Sequence, residues 1–159
     1  MTNQSLIQRE TARAAFYRDA VFGLSQPSKR LACKHFYDER GSELFDQICE
    51  LDEYYLTRTE MSIMDQYAEE MGKAIGSEVM LVEYGSGSSQ KTRALLENLP
   101  DPVAYVPVDI SGDYIVQVAA GLADDFPHIE VLPVCADFTA EFQLPTSRRS
   151  PTHAAVYIP

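Results

Sequence analysis

Three short stretches carry residue types suited to holding a nucleoside-like ligand: Glu83-Tyr84-Gly85-Ser86-Gly87, then Asp109, then Asp137-Phe138. Glycines at 85 and 87 let a ligand approach the backbone closely, because glycine takes positive φ and carries no Cβ. A helix beginning just beyond the turn aims its free N–H groups and the positive end of its dipole at the same place. Asp109 stands 22 residues beyond Gly87, where an acidic side chain can accept both hydroxyls of a ribose. Asp137 can offer a carboxylate to an adenine amino group, and Phe138 a ring to its face. Each feature also has an ordinary structural reading, as a tight turn, a helix cap or a packed ring. Their succession is what resembles an adenosine site.

Three templates compete for the glycine turn. The dinucleotide motif G-x-G-x-x-G needs a glycine at position 90, where the chain has Gln90. The phosphate loop G-x-x-x-x-G-K-[ST] aligns from Gly85 to Thr92 and fails at the same Gln90, leaving Lys91-Thr92 in register. The Glu-x-Gly-x-Gly turn of S-adenosylmethionine (SAM)-dependent methyltransferases is met by Glu83, Gly85 and Gly87, with Ser89 where a third glycine often stands. Asp109 and Asp137-Phe138 favour the third template. A P-loop-like nucleotide-binding domain stays open as the alternative.

The elements that would position these residues follow from hydrophobic periodicity. Val79–Glu83, Val103–Val108, Ile129–Val134 and Ala154–Ile158 read as strands centred 24, 26 and 24 residues apart. That spacing suits a strand, a crossover helix and two short loops, hence a parallel sheet with right-handed crossovers. Helices are expected from Ser89 to Leu99, with Ala94, Leu95 and Leu99 inward, and after a Ser111 cap, with Tyr114, Ile115, Val118, Ala119 and Leu122 inward. The third crossover, Thr139 to Thr152, holds Pro145, Ser147, Ser150 and Pro151 and reads as loop.

Upstream, residues 1–76 read as a helical region and 77–159 as a Rossmann-like α/β domain. A helix is expected over Ser5–Phe22, ended by Pro27-Ser28-Lys29, and a short one capped by Ser42 that carries Leu44, Phe45, Ile48 and Cys49. Thr57 and Glu60 have capping-box spacing ahead of Met64, Tyr67, Ala68, Met71 and Ile75, and Gly76 stops that helix. In doubly wound folds the loops beyond the strand ends carry the ligand site. A chain that stops at Tyr157-Ile158-Pro159 is therefore expected to be the N-terminal portion of a longer protein.

Composition narrows the partners. Of 159 residues 45% are hydrophobic, and the formal charge of -11 argues against nucleic acid or an anionic membrane surface as the main partner. A small molecule is the better expectation. Cys33, Cys49 and Cys135 lack any zinc or disulfide spacing, and His35, His128 and His153 lack partners at metal-ligand spacing, so no metal is expected and the histidines read as surface or capping residues. With no leader pattern and no apolar run of about 20 residues, the expected location is cytoplasmic.

A second constellation, Tyr37-Asp38-Glu39-Arg40 with Glu53-Tyr54-Tyr55 and Thr57-Arg58, reads from the residues alone as loop tyrosines that pack. A family resemblance changes this. The chain resembles the histidine-specific methyltransferases, whose best known members are the L-histidine Nα-methyltransferases of ergothioneine biosynthesis. The matching stretches are Phe36-Tyr37-Asp38-Glu39-Arg40-Gly41-Ser42-Glu43-Leu44-Phe45, Glu53-Tyr54-Tyr55-Leu56-Thr57-Arg58-Thr59-Glu60, Val82 to Thr92, Tyr105 to Ser111, and Ala136 to Thr139.

The resemblance implies a SAM-binding Rossmann-like domain, with Glu83 of the turn motif among the cofactor-binding residues, Gly85 and Gly87 against the methionine part and Lys91 near the same turn. It places Asp109 on the ribose and Asp137 and Phe138 on the adenine. It assigns Tyr37 and Tyr54 to the amino-acid end of histidine, and leaves Tyr55 structural. The family pattern departs at Leu56, usually proline, and Tyr84, usually aliphatic. The implied reaction moves a methyl group from the sulfonium to the α-amine of histidine, repeatedly, to give the trimethylated betaine. No residue is implied as an obligatory catalytic base, because an amine of ordinary α-amino pKa can lose its proton to water. For this chain alone, cofactor binding with little turnover is expected; a noncatalytic remnant that has lost the cofactor is the remaining alternative.

Overall fold

A computed structural model of the chain describes residues 3 to 158, with the side chains of residues 13 to 158 other than Glu39. Two compact units are present, Met1–Asp38 and Glu39–Pro159.

In the first unit, helix α1 (Asn3–Ser25) is followed by a 3-10 turn at Cys33–Phe36. The helix ends just before the expected Pro27-Ser28-Lys29 break, and the chain folds back so that the Arg30 N–H donates to the Gly23 carbonyl at 3.2 Å. Asp19 holds the return, meeting His35 Nε2 at 2.9 Å and Lys34 Nζ at 3.2 Å. The hydrogen bonds from His35 and Lys34 keep its carboxyl below the usual range. His35, expected as a surface or capping residue, is anchored by Asp19, with Phe16 edge-on to its ring. Leu6 and Ile7 of the expected apolar face lie outside the described side chains, and Phe16, Tyr17 and Val21 are exposed.

The second unit is built on a parallel sheet of β1 (Val79–Tyr84), β2 (Ala104–Asp109), β3 (Glu130–Val131), β4 (Val134–Cys135) and β5 (His153–Tyr157). β1 lies between β2 and β5, and β3 and β4 both flank the outer side of β2. The chain therefore moves outward from β1 to β4 and returns to the far side of β1, which creates a switch point between β1 and β5. In open α/β sheets the crevice at such a point, beyond the carboxyl ends of the strands, is where ligands bind.

The single third strand expected over Ile129–Val134 is divided. Its gap, Leu132-Pro133, falls opposite Val106 and Pro107 by register. Proline has no N–H for the ladder, and here Pro107 and Pro133 stand side by side, so beyond the Leu132 N–H on the Tyr105 carbonyl at 2.9 Å regular pairing is interrupted until Val134.

Helix α3 (Leu56–Ile75) packs beside α4 (Gln90–Asn98), and α5 (Gly112–Asp125) lies against β2 and β3. Met64 and Ala68 from α3, Leu95, Leu96 and Leu99 from α4 and its end, and Leu122 from α5 bury one face of the sheet with Val79, Leu81 and Tyr105. On the other face Met80, Val82, Ala104, Val106 and Val108 pack under Tyr84, Leu132, Val134, Ala136 and Phe142. Tyr67, expected inward on α3, is exposed. The Thr139 to Thr152 crossover is loop, as its prolines and serines imply, and is pinned by a two-pronged Arg149 to Asp101 pair and by the Arg148 N–H on Glu130 Oε2 at 2.7 Å.

Three expected caps work differently. Helix α2 (Glu39–Cys49) starts three residues before Ser42. Ser42 is buried within it, and its hydroxyl meets Ser111 Oγ at 3.0 Å. Ser111 does precede α5, but with its hydroxyl spent on Ser42 it makes no side-chain cap. The Thr57/Glu60 box does not form, because α3 starts at Leu56 and Glu60 is drawn to Lys91. Arg58 instead ties the start of α3 to the preceding loop through the Leu51 and Asp52 carbonyls, at 2.9 and 2.6 Å. Gly76 ends α3 as expected, with φ of 90° and its N–H on the Gly72 carbonyl.

Candidate functional site

The carboxyl ends of β1, β2 and β4 bring together the glycine turn, Asp109 and the Asp137-Phe138 pair. Gly85 and Gly87 take positive φ of 73° and 48°. The N–H groups of Gly85 and Ser86 both turn back to the Val108 carbonyl, at 2.9 and 3.4 Å. The Gly87 N–H donates to Asp109 Oδ2 at 3.2 Å. The turn's own donors are thus spent on the sheet, and what it offers a ligand is space: a Cβ built on Gly87 meets nothing within 4 Å.

Asp109 is partly buried, and its other oxygen accepts the Ser111 N–H at 3.0 Å. One carboxylate therefore ties the turn after β1 to the start of α5. Each oxygen keeps acceptor capacity beyond its one backbone donor, which suits a vicinal diol placed above it.

Asp137 follows β4 and closes a turn by accepting from the N–H of Thr139 at 3.0 Å and from its hydroxyl. Phe138 stacks on Tyr84, with ring centroids 5.4 Å apart and planes 7° from parallel, while Phe142 meets Tyr84 edge-on. Phe138 remains 42% exposed, so one ring face is packed and the ring still presents surface. A Cβ on Gly85 would lie 3.7 Å from Phe138 Cε1, which sets the aromatic pair beside the turn.

Glu83 and Lys91 occupy different surroundings. Glu83 is only 1% exposed, beneath the turn, and accepts a hydrogen bond from the Tyr105 hydroxyl. Burial pushes its carboxyl up to about 7, against the pull of the Thr92 and Tyr105 hydroxyls and the Lys91 charge. Its influence on any ligand passes through the turn above it. Lys91, in the first turn of α4, donates to Glu60 Oε2 of α3 at 2.9 Å.

With this geometry in place, comparison with known proteins is decisive. The family described as histidine-specific methyltransferase, SAM-dependent, matches residues 16–158. The chain belongs to that family. It is 41% identical over 132 residues to a histidine N-alpha-methyltransferase of Mycolicibacterium smegmatis, covering 81% of this chain and 41% of that protein. It is 39% identical, with the same coverage, to a histidine N-alpha-methyltransferase of Mycobacterium tuberculosis. Ergothioneine biosynthesis protein 1 of Neurospora crassa is 39% identical over 104 residues, 64% of this chain and 12% of that protein. The chain thus spans about two-fifths of the length of its bacterial relatives.

Within the family frame the two tyrosines assigned to substrate stand in separate units. Tyr54 follows the loop after α2, its N–H on the Leu51 carbonyl and its ring edge-on to Phe45 at 5.9 Å. Tyr37 closes the 3-10 turn through its N–H on the Lys34 carbonyl. Tyr55 is 62% exposed, so its structural part is played by its carbonyl, which accepts the Thr59 N–H, and not by its ring.

Sequence reasoning missed Tyr105. It reads as one more apolar residue of β2, yet its hydroxyl bonds to both Glu83 and Ser89 Oγ, the latter at 2.9 Å. A tyrosine inside an otherwise aliphatic strand, following a strand that ends in glutamate, was the available signal. Asp46 was missed as well; it accepts from Tyr114 at 2.6 Å and fastens α2 to α5.

Proposed function

We propose that the whole protein is a SAM-dependent N-methyltransferase acting on the α-amine of an amino acid, with L-histidine the acceptor and the trimethylated betaine the product. The observation that carries this reading is the convergence of an open glycine turn, a carboxylate with spare acceptor capacity and a part-exposed ring at three strand ends. Family membership supplies the chemistry that such a pocket serves.

Bound SAM would supply a sulfonium-linked methyl group, which an amine can displace without strong activation of the leaving group. The chain's own part is to bind, to align and to exclude water. Asp109 would accept the ribose hydroxyls, Asp137 and Phe138 would receive the adenine, and Gly85 and Gly87 would leave room for the methionine part. Lys91 would act near the turn, where it is paired with Glu60. Glu83 would shape the turn from beneath. Tyr54, and separately Tyr37, would position the amino acid; both assignments rest on the family resemblance. The free thiols of Cys33, Cys49 and Cys135 suit a reducing, cytoplasmic setting, and among the described residues no helix is long and apolar enough to cross a membrane.

A thermal-shift titration tests the reading. S-adenosylhomocysteine should raise the melting temperature, and ATP with magnesium should not. Stabilisation by ATP alone would return the glycine turn to a phosphate-binding role, and no response to either, even in the full-length protein, would leave a noncatalytic remnant.

A further inference from the structure

Ser89 stands where the methyltransferase turn often has its third glycine, and its backbone is left-handed, with φ of 55° and ψ of 22°. For serine that conformation carries a modest cost, because the Cβ crowds the carbonyl oxygen, whereas glycine takes it freely. Yet helix α4 starts from this residue, the Ser89 N–H closes the turn on the Ser86 carbonyl at 2.8 Å, and the Ser89 carbonyl takes the Arg93 N–H at 3.1 Å. Beyond these two backbone bonds, the side chain makes one buried contact of its own.

That contact comes from Tyr105. Its hydroxyl gives its one proton to Glu83 and can therefore accept from Ser89 Oγ at 2.9 Å. All three side chains are buried: Glu83 is 1%, Ser89 2% and Tyr105 0% exposed. A buried hydroxyl cannot exchange these partners for water, so the bond fixes the Ser89 side chain against β2. The ring itself is wedged in the core with Leu81 and Leu95, which gives the clamp a rigid base.

We infer that Tyr105 is a positioning residue for the cofactor turn: its hydroxyl, anchored on Glu83, holds Ser89 in the left-handed conformation that a third glycine would adopt unaided. The inference rests on the proposed cofactor site, but its geometric part concerns the turn alone. Tyr105 touches no ligand and acts through Ser89 on the segment from Gly85 to Gln90.

The decisive experiment is a double-mutant cycle of Tyr105→Phe and Ser89→Gly, read in two ways. Phenylalanine keeps the ring and deletes the hydroxyl, while glycine takes positive φ without needing the clamp. Removing the hydroxyl also deprives Glu83 of the Tyr105 donor, and that effect is common to both backgrounds and cancels. By calorimetry, Tyr105→Phe should weaken S-adenosylhomocysteine roughly tenfold, about what one lost buried hydrogen bond is worth, and weaken it much less in the Ser89→Gly background. By amide hydrogen exchange without ligand, Tyr105→Phe should speed exchange at Ser89 and Arg93, and this acceleration should largely vanish in the Ser89→Gly background. Equal factors in both backgrounds, or no change on Tyr105→Phe, overturn the inference. A wild-type chain that does not bind S-adenosylhomocysteine counts against the proposed function only, since the exchange cycle still decides whether Tyr105 holds the turn.

Discussion

Asp109 Oδ2 accepts the backbone N–H of Gly87 at 3.2 Å, so the end of β2 holds the turn that follows β1. The same carboxylate holds the start of α5 through the Ser111 N–H. A residue read from sequence as a ribose ligand is therefore also a structural tie, and its substitution has two separable consequences.

Asp109→Ala should abolish measurable S-adenosylhomocysteine binding and lower stability by roughly 1–3 kcal/mol, the cost of leaving partly buried N–H groups without a charged acceptor. Asp109→Asn should fall between, because its single carbonyl oxygen can serve one of the two N–H groups while its amide N–H₂ opposes the other. Urea denaturation and calorimetry on both variants check this, and a fully stable Asp109→Ala chain would contradict the tie.

Gly87→Ala should separate stability from binding. At φ of 48°, with nothing within 4 Å of the added methyl, only backbone strain of about 1–2 kcal/mol opposes folding. The methyl occupies the space assigned to the ligand, so affinity for S-adenosylhomocysteine should fall well over tenfold. A Gly87→Ala chain that binds normally would remove Gly87 from the site.

Buried Glu83 makes stability depend on pH in an unusual direction for a carboxylate. Its folded pKa is raised from 4.5 to about 7. The folded state therefore binds more protons than the unfolded state between those values, and the associated stability is fully present below about 4.5 and lost as pH rises through 7. A shift of that size corresponds to about 3 kcal/mol. Glu83→Gln, which mimics the neutral form, should flatten the stability profile between pH 5 and 8 as measured by denaturant titration. An unchanged slope would show that Glu83 does not titrate in this window.

Phe138→Ala should weaken S-adenosylhomocysteine by about 1–3 kcal/mol, the range for loss of one base-aromatic stack. Tyr84→Leu gives the aliphatic character that the family resemblance implies at this position and should cost less, since Tyr84 packs on one face of Phe138. A larger loss for Tyr84→Leu than for Phe138→Ala would reverse these roles.

Much of the strand and helix pattern was legible because each element carries its own period. Val79–Tyr84 and Ala104–Asp109 are buried runs, and Ile115, Ala119 and Leu122 recur at helical spacing. The placement of the candidate site residues at three neighbouring strand ends was legible for the same reason, since topology sets successive strand ends side by side. What stayed hidden depends on partners far apart in sequence. Ser42 looked like a cap until Ser111, 69 residues away, claimed its hydroxyl, and Glu60 looked like half of a capping box until Lys91 drew it across to α4. Tyr105 hid because a buried ring fits an apolar strand, and only the fold reveals where its hydroxyl goes. The split third strand depended on Pro133 facing Pro107, a coincidence of register that no local window contains.

Whether three strand ends form one adenosine site is decided most directly by an amide chemical-shift titration with S-adenosylhomocysteine. The amides of Gly87, of Ile110 and Ser111, and of Phe138 and Thr139 should move together along one binding curve. Shifts confined to the turn at Gly85 to Thr92 and seen only with ATP and magnesium, or a saturating response that leaves Ile110 and Phe138 unmoved, would contradict a single site.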